Sequence, residues 1–154
     1  MADSSTSTVN GQGIAAKAVE VGGTVAGKAY TWGGKTTGGF DCSGFVSYVL
    51  NHVFANTSYG GDVAGYIANP GLDDVAEADR KAGDLIIFPA FGNMPNHIGI
   101  VVDATHWIGC QSSTGVAQVL FSNVFWKARP HKYRRVRGLS TVAMNAGRGT
   151  AVLA

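Results

Sequence analysis

At Asp41-Cys42-Ser43 the chain changes character within one turn's length. Before it, Gly33-Gly34 and Gly38-Gly39 interrupt the segment too often for a regular element to persist. After it, Phe45, Val49 and Val53 form one stripe and Val46, Leu50 and Phe54 the row beside it. That spacing predicts a helix with one buried face. Asp41 and Ser43 are start signals for such a helix, because short oxygen-bearing side chains accept from the first turn's backbone N–H groups. Cys42 is thereby predicted in the first turn, where unpaired N–H groups and the helix dipole favour an anion. Such a place is expected to lower a thiol's pKa and supply a nucleophilic thiolate near neutral pH. A structural cysteine that happens to start a helix leaves the same pattern. A base has to be found elsewhere in the chain.

The remaining elements follow from periodicity. Ile14, Ala15, Ala18, Val19, Val21 and Val25 predict a first helix over about residues 13–28, weakened by Gly22-Gly23. Residues 55–82 read as loops around one short helix near Val63–Ile67. From Gly83 the pattern becomes strand-like: 84–88, 96–102, 107–112, 115–121 and 131–136. Helices first and strands afterwards predict an α+β domain with an antiparallel sheet of about five strands. Residues 1–12 are small and polar and are expected to be disordered, 13–138 form the domain, and 139–154 a tail.

Composition narrows the function classes. With 154 residues, 45% of them apolar, and a mean hydropathy of +0.10, the chain is expected to be one soluble domain. A net charge of +2 does not by itself imply a nucleic-acid partner. No apolar run approaches the roughly 18 residues needed to span a bilayer. The first ten residues lack a basic start and an apolar core, so the expectation is synthesis in the cytoplasm and export by a route other than a secretory signal. Cys42 and Cys110 read as reduced thiols.

The companion for Cys42 is His97, which opens an apolar strand directly after Gly92-Asn-Met-Pro-Asn96. A Cys–His pair is the minimal activated-thiol system, the imidazole taking the proton and the imidazolium holding the thiolate. A third polar group would fix the ring. Rival chemistries fit less well. Ala29–Thr36 matches a relaxed phosphate-loop pattern, but such a loop needs a buried strand before it and a helix starting at Lys35-Thr36. His52, His97, His106, His131 and the two cysteines show no ligand spacing, so no metal and no cofactor are expected. The basic run from Lys127 to Arg137 lacks regularly interleaved aromatics and is expected to form a solvated edge.

Four blocks, Tyr30-Thr-Trp-Gly-Gly34, Phe40-Asp-Cys-Ser-Gly-Phe45, Ala82-Gly-Asp-Leu-Ile-Ile-Phe88 and Asn96-His-Ile-Gly-Ile-Val-Val102, together resemble the NlpC-type cell-wall peptidases. These are papain-like cysteine hydrolases that cut the peptide stems of peptidoglycan. The resemblance runs from about Ala16 to Arg137 and implies a papain-like fold with the nucleophile at a helix start. It implies Cys42 as nucleophile and His97 as general base and acid, with the Cys42 N–H as part of an oxyanion hole. Tyr30 would line the site, and Asp41 and Ser43 would contact substrate, a role compatible with helix capping. Trp32 reads equally well as a core residue.

The chain departs from the pattern at two places. The family's third catalytic position falls on Gly109, which has no side chain; Gln111, two residues on and on the same strand face, is preferred, with Cys110 and then His106 as alternates. Around Asn56-Thr-Ser-Tyr59, Ser58 matches a substrate-binding serine but the arginine that often precedes it is missing. A bare domain of this kind resembles the amidase effectors that type VI secretion systems deliver into the periplasm of rival bacteria, usually paired with an immunity protein. A phage or prophage lytic enzyme and an inactive wall-binding module are the other readings. The expected partners are muropeptides and an immunity protein, with no nucleic acid, no membrane insertion and a monomeric state. The bond cut stays open between γ-D-glutamyl–diaminopimelate and D-Ala–diaminopimelate, and a Cys42–Cys110 disulfide would be a silencing device if the two thiols could meet.

Overall fold

The structure is a computed structural model that describes residues 10–54 and 58–137. Helix α1 runs over Gly11–Thr24 and is capped by Asn10, whose side chain accepts from the Gly13 N–H at 3.1 Å. It therefore starts ahead of the expected residue 13 and stops at Thr24, directly after the glycine pair. A two-stranded hairpin follows, β1 (Lys35–Thr36) and β2 (Gly39–Phe40), and then helix α2 (Cys42–Val53). The stripe read from the sequence is what α2 buries: Phe45, Val46, Val49, Leu50 and Val53 are fully enclosed. After α2 come α3 (Val63–Ala68), β3 (Leu72–Val75), a 3-10 turn at Glu77–Asp79, β4 (Leu85–Phe88), β5 (His97–Val101), β6 (His106–Gln111), β7 (Gly115–Leu120), the single-turn helix α4 (Val124–Lys127) and β8 (Lys132–Val136).

The main sheet is antiparallel, in the order β3-β8-β4-β5-β6-β7. It has six strands where about five were expected, because β3 joins it. Every residue of β4 and β5 is buried, so alternation along them sorts residues between two cores rather than between core and water. Leu85, Ile87, Ile98, Ile100, Ile108 and Cys110 face the helices α1 and α2. Ile86, Phe88, Val101, Trp107 and Tyr133 face the other way and are covered by Phe121, Val119 and Trp126.

The basic C-terminal run does not form a solvated edge. β8 lies between β3 and β4, and the arginines in it and directly after it are paired: Arg134 with Asp74 at 3.0 Å, Arg135 with the buried Asp84 at 2.7 Å, and Arg137 with Asp73 at 2.8 Å. The long-range β3–β8 pairing brings two of these carboxylates into reach, which no local pattern could reveal. Lys35 and Thr36 sit in a hairpin strand and the next helix begins only at Cys42, so the helix a phosphate loop requires is not there. Among the described residues no helix is long and apolar enough to cross a membrane, and no three His, Cys, Asp or Glu side chains cluster as metal ligands would. The stretch 139–154 lies outside the described residues.

Candidate active site

Asp41 is the N-cap of α2; its carboxylate accepts from the Gly44 N–H at 2.6 Å and from the Ser43 hydroxyl at 3.3 Å. Gly44 is small for a reason: a Cβ there would run into the Gly34 carbonyl, which also accepts from the Asp41 N–H at 2.9 Å. The Trp-Gly-Gly loop and the Asp-Cys-Ser-Gly helix start are thus packed backbone to backbone, which fixes where Cys42 points. Ile98, whose N–H acts on the Cys42 thiol, sits on β5 beside His97.

The expected lowering of the Cys42 pKa is overturned. Burial, and after it the negative charge of Asp41, push the thiol up, outweighing the N–H groups of Ile98, Ser43 and Cys42 that pull it down. The carboxylate that caps the helix opposes the field that the helix end offers an anion. His97, 7% exposed, moves the opposite way: burial chiefly, with Arg129 adding its charge, lowers its pKa to about 4 against the bond from Gln111, which raises it. Both groups are held toward their neutral forms in the free protein.

Strand register decides which of the three candidates meets His97. β5 and β6 pair Ile100 with Ile108 and Val101 with Trp107, and continuing that ladder sets His97 opposite Gln111. The side chains meet there, with His97 Nε2 3.1 Å from Gln111 Oε1. Gln111 Nε2 donates to the Ala117 carbonyl at 3.3 Å, so Oε1 is the end turned to the imidazole. The ring consequently carries its proton on Nε2 and leaves Nδ1 free as a base, a tautomer assigned from the partner. Gly109 makes room for this: a Cβ there would lie 2.7 Å from Gln111 Oε1 and 3.0 Å from the Trp107 ring. Cys110 falls on the opposite face of β6, where its S–H donates to the Phe40 carbonyl at 3.2 Å and burial lifts its pKa to about 12. Both cysteines are free thiols, as expected. His106 begins β6 at the far end, against Thr105 and Asp103. Neither alternate reaches His97.

A cleft of about 830 Å³ opens over Cys42, His97 and Gln111. Tyr30, Asp41 and Ser43 line it, Tyr30 keeping its phenol proton because burial, then Cys42, raise its pKa to about 12. Trp32 is 87% exposed on the rim, which removes it from the core. Ser58 is not brought to the cleft walls. Tyr59 is tied to Asn51 by two hydrogen bonds of 2.6 and 2.8 Å, near the C-terminal end of α2. Nine residues of helix, about 14 Å, separate that anchor from Cys42. Asp62 and Val63, at the start of α3, occupy the wall instead.

Sequence reasoning missed the wall contributed by α4. Asn123 caps this turn by accepting from the Phe125 and Trp126 N–H groups, and the Trp126 ring stacks on His97 at 4.9 Å and 28°. Arg129, just beyond the helix, donates from Nη2 to the Pro89 and Pro95 carbonyls at 3.1 and 2.9 Å, clasping both ends of the loop that delivers His97. The only signal in the sequence is Asn123 before a short aromatic run.

Comparison with known proteins places this arrangement. The chain is 38% identical over 106 residues to the probable peptidoglycan endopeptidase LytE of Bacillus subtilis, covering 68% of this chain and 29% of that protein. It is 30% identical over 114 residues to the murein DD-endopeptidase MepS/murein LD-carboxypeptidase of Escherichia coli K12, covering 71% and 56%. The chain thus spans under a third to about half of these relatives' lengths. Among solved structures, the NlpC/p60 domain of the peptidoglycan hydrolase SagA superposes with a TM-score of 0.62 at 30% identity, over 80% of this chain and 97% of that one. The NlpC/P60 family model matches residues 27–135, the stretch from the glycine loop to the last strand. A cysteine at a helix start, a histidine opening a buried strand and a cross-strand polar partner are therefore set in a fold and sequence frame of one known kind: the chain belongs to the NlpC/P60 family.

Proposed function

We propose that this chain is a cysteine-dependent amide hydrolase acting on peptidoglycan stems, with Cys42 as nucleophile, His97 as base and acid, and Gln111 as the group that holds His97. The observation that carries the reading is the His97 Nε2–Gln111 Oε1 bond at 3.1 Å, which leaves Nδ1 free in the cleft that contains Cys42. In the first step the thiol proton passes to Nδ1 as the sulfur bonds to a stem carbonyl carbon. The Cys42 N–H faces the oxygen that becomes negative. Collapse breaks the C–N bond, and His97 returns its proton to the leaving amine. Water, deprotonated by His97, then attacks the thioester and frees the stem carboxylate and the thiol.

Both neutral resting groups are compatible with this sequence, since proton transfer and attack can proceed together once the carbonyl is in place. The named relatives are described as endopeptidases or hydrolases of peptidoglycan or murein, which supports the substrate class. Purified muropeptides digested with wild type and with Cys42→Ala test it by mass spectrometry. New amine and carboxyl termini with wild type only are expected, and they name the bond; cleavage by Cys42→Ala refutes the mechanism. Delivery into a rival periplasm by a type VI system, with an immunity partner, is a separate proposal resting on the resemblance to compact effector amidases. Lysis on periplasmic but not cytoplasmic expression, with a small protein co-purifying, is its expected result.

A further inference from the structure

Arg129 is 5% exposed, as enclosed as many core residues. Taking a guanidinium out of water costs several kcal/mol unless a counter-charge is close. The other arginines among the described residues have one: Arg80 meets Glu77, and Arg134, Arg135 and Arg137 each meet an aspartate. Among the same residues Arg129 meets none. Nη2 reaches two carbonyls, and Nε is buried with no hydrogen-bond partner. Nη1 is neither bonded nor among the enclosed orphans, and Arg129 lines the cleft of Cys42 and His97. Its Cζ lies over the rings of Phe88 and Trp126, 5.5 and 5.4 Å from their centroids, so the guanidinium is held between the loop and two aromatic side chains.

Arg129 is also, among the described residues, the only lysine or arginine on that cleft's walls, and the aspartates there are engaged elsewhere: Asp41 caps α2, and Asp62 caps α3 through the Gly65 N–H. We propose that the anion missing beside Arg129 is supplied by substrate, and that Arg129 is a specificity residue recognising a stem carboxylate. The inference rests on the peptidoglycan reading given above. A buried, pre-oriented guanidinium discriminates strongly between a carboxylate and its uncharged amide, because the amide both forfeits the charge-assisted bond and leaves the cation unpaired. Two carboxylates inside a stem, away from its C-terminus, carry that chemistry: the α-carboxylate of D-glutamate and the free carboxylate of diaminopimelate.

The test uses synthetic stem peptides in four forms, with each of these two carboxyl groups as acid or as amide. Affinities are read by calorimetry on Cys42→Ala, which cannot turn over, and kcat/KM on the chain with Cys42 intact. With Arg129 present, amidating one of the two positions is expected to weaken binding and kcat/KM by about 10- to 100-fold, and that position names the carboxylate. In Arg129→Gln the acid-to-amide ratio is expected to fall below about 3-fold, and Arg129→Lys to retain an intermediate preference, because a point charge lacks the fork. A wild-type ratio near one at both positions overturns the proposal without any variant. So does a ratio that persists in Arg129→Gln at an unchanged melting temperature. Should Arg129→Gln not fold, for want of its clasp on Pro89 and Pro95, the Lys variant and the wild-type ratio still decide. If wild type cleaves no muropeptide, the hydrolase reading fails, while calorimetry on Cys42→Ala still reports on Arg129.

Discussion

Replacing Gln111 by Ala probes the contact proposed to make His97 a directed base. Gln111 is 3% exposed and its Oε1 is the acceptor for His97 Nε2–H at 3.1 Å. Truncation leaves that N–H buried and unpaired, a cost of about 1–3 kcal/mol, and frees the ring to rotate or change tautomer. At about 1.4 kcal/mol per factor of ten, kcat/KM for muropeptide cleavage should fall roughly 10- to 100-fold. Since the loss lies in positioning the base, it should appear in kcat more than in KM. Gly109→Ala is the matching perturbation from the other side, because its methyl would arrive 2.7 Å from the same oxygen and 3.0 Å from the rigidly packed Trp107 ring. It should lower kcat while leaving every catalytic side chain in place, at an overpacking cost of about 1–3 kcal/mol in stability. Gln111→Glu, which keeps the acceptor and adds charge, should retain activity and shift the acid limb of the pH profile upward. The assay is steady-state release of new amine termini across about pH 5–9, with thermal melts of each variant. Gln111→Ala within twofold of wild type at all pH values would refute the positioning argument.

Three further outcomes follow from the same geometry. Alkylation of Cys42 by iodoacetamide in a Cys110→Ala background should climb as pH passes the ordinary thiol value of 9.0, since burial and Asp41 raise this pKa; a rate already flat at neutral pH would show a resting ion pair instead. Because His97 is lowered to about 4 from 6.5, the unfolded chain takes up its proton first on acidification. The His97 contribution to stability is then complete above pH 6.5 and lost progressively toward about pH 4, and His97→Asn should flatten that part of a melting curve series relative to wild type. Arg135→Met leaves the Asp84 carboxylate, 1% exposed, with only the Lys81 N–H at 2.7 Å among the described residues, and should cost about 3–5 kcal/mol in urea unfolding. An unchanged midpoint would mean that water reaches Asp84.

Elements with strong local periodicity are legible in the sequence itself. The stripe of α2, the buried runs of β4 and β5 and the candidacy of Cys42 and His97 all follow from spacing over a few residues. What is not legible depends on distant partners. Strand β3 buries only Leu72 fully and is held by β8, about sixty residues later, so its Asp-Asp pair reads as a loop until the guanidiniums of Arg134 and Arg137 reach it. Helix α4 is a single turn whose place is set by its aromatic packing on Phe88, Trp107 and His97. Counting along the chain reaches Gly109, whereas the β5–β6 ladder selects Gln111; face alternation then excludes Cys110. The thiol's pKa departs from expectation because the helix-end field acts together with the desolvation that a buried first turn brings, and the desolvation is larger.

The influences on His97 point to what the free protein lacks. Burial and the unneutralised charge of Arg129 both oppose an imidazolium, and Gln111, an uncharged acceptor, only partly offsets them. A carboxylate at that third position would have stabilised the ring's charged form permanently; an amide orients the ring without doing so. Forming a thiolate–imidazolium pair therefore requires either simultaneous attack on a carbonyl or a new negative charge nearby. The carboxylate proposed to dock on Arg129 provides the second. By pairing with the guanidinium it cancels the repulsion that helps hold His97 neutral, and it does so only when a stem occupies the cleft. Recognition and activation would then be one electrostatic event. It separates the role of Arg129 in binding from its role in rate: an acid substrate should gain over its amide in kcat as well as in affinity, whereas a residue that merely anchors the stem would change affinity alone.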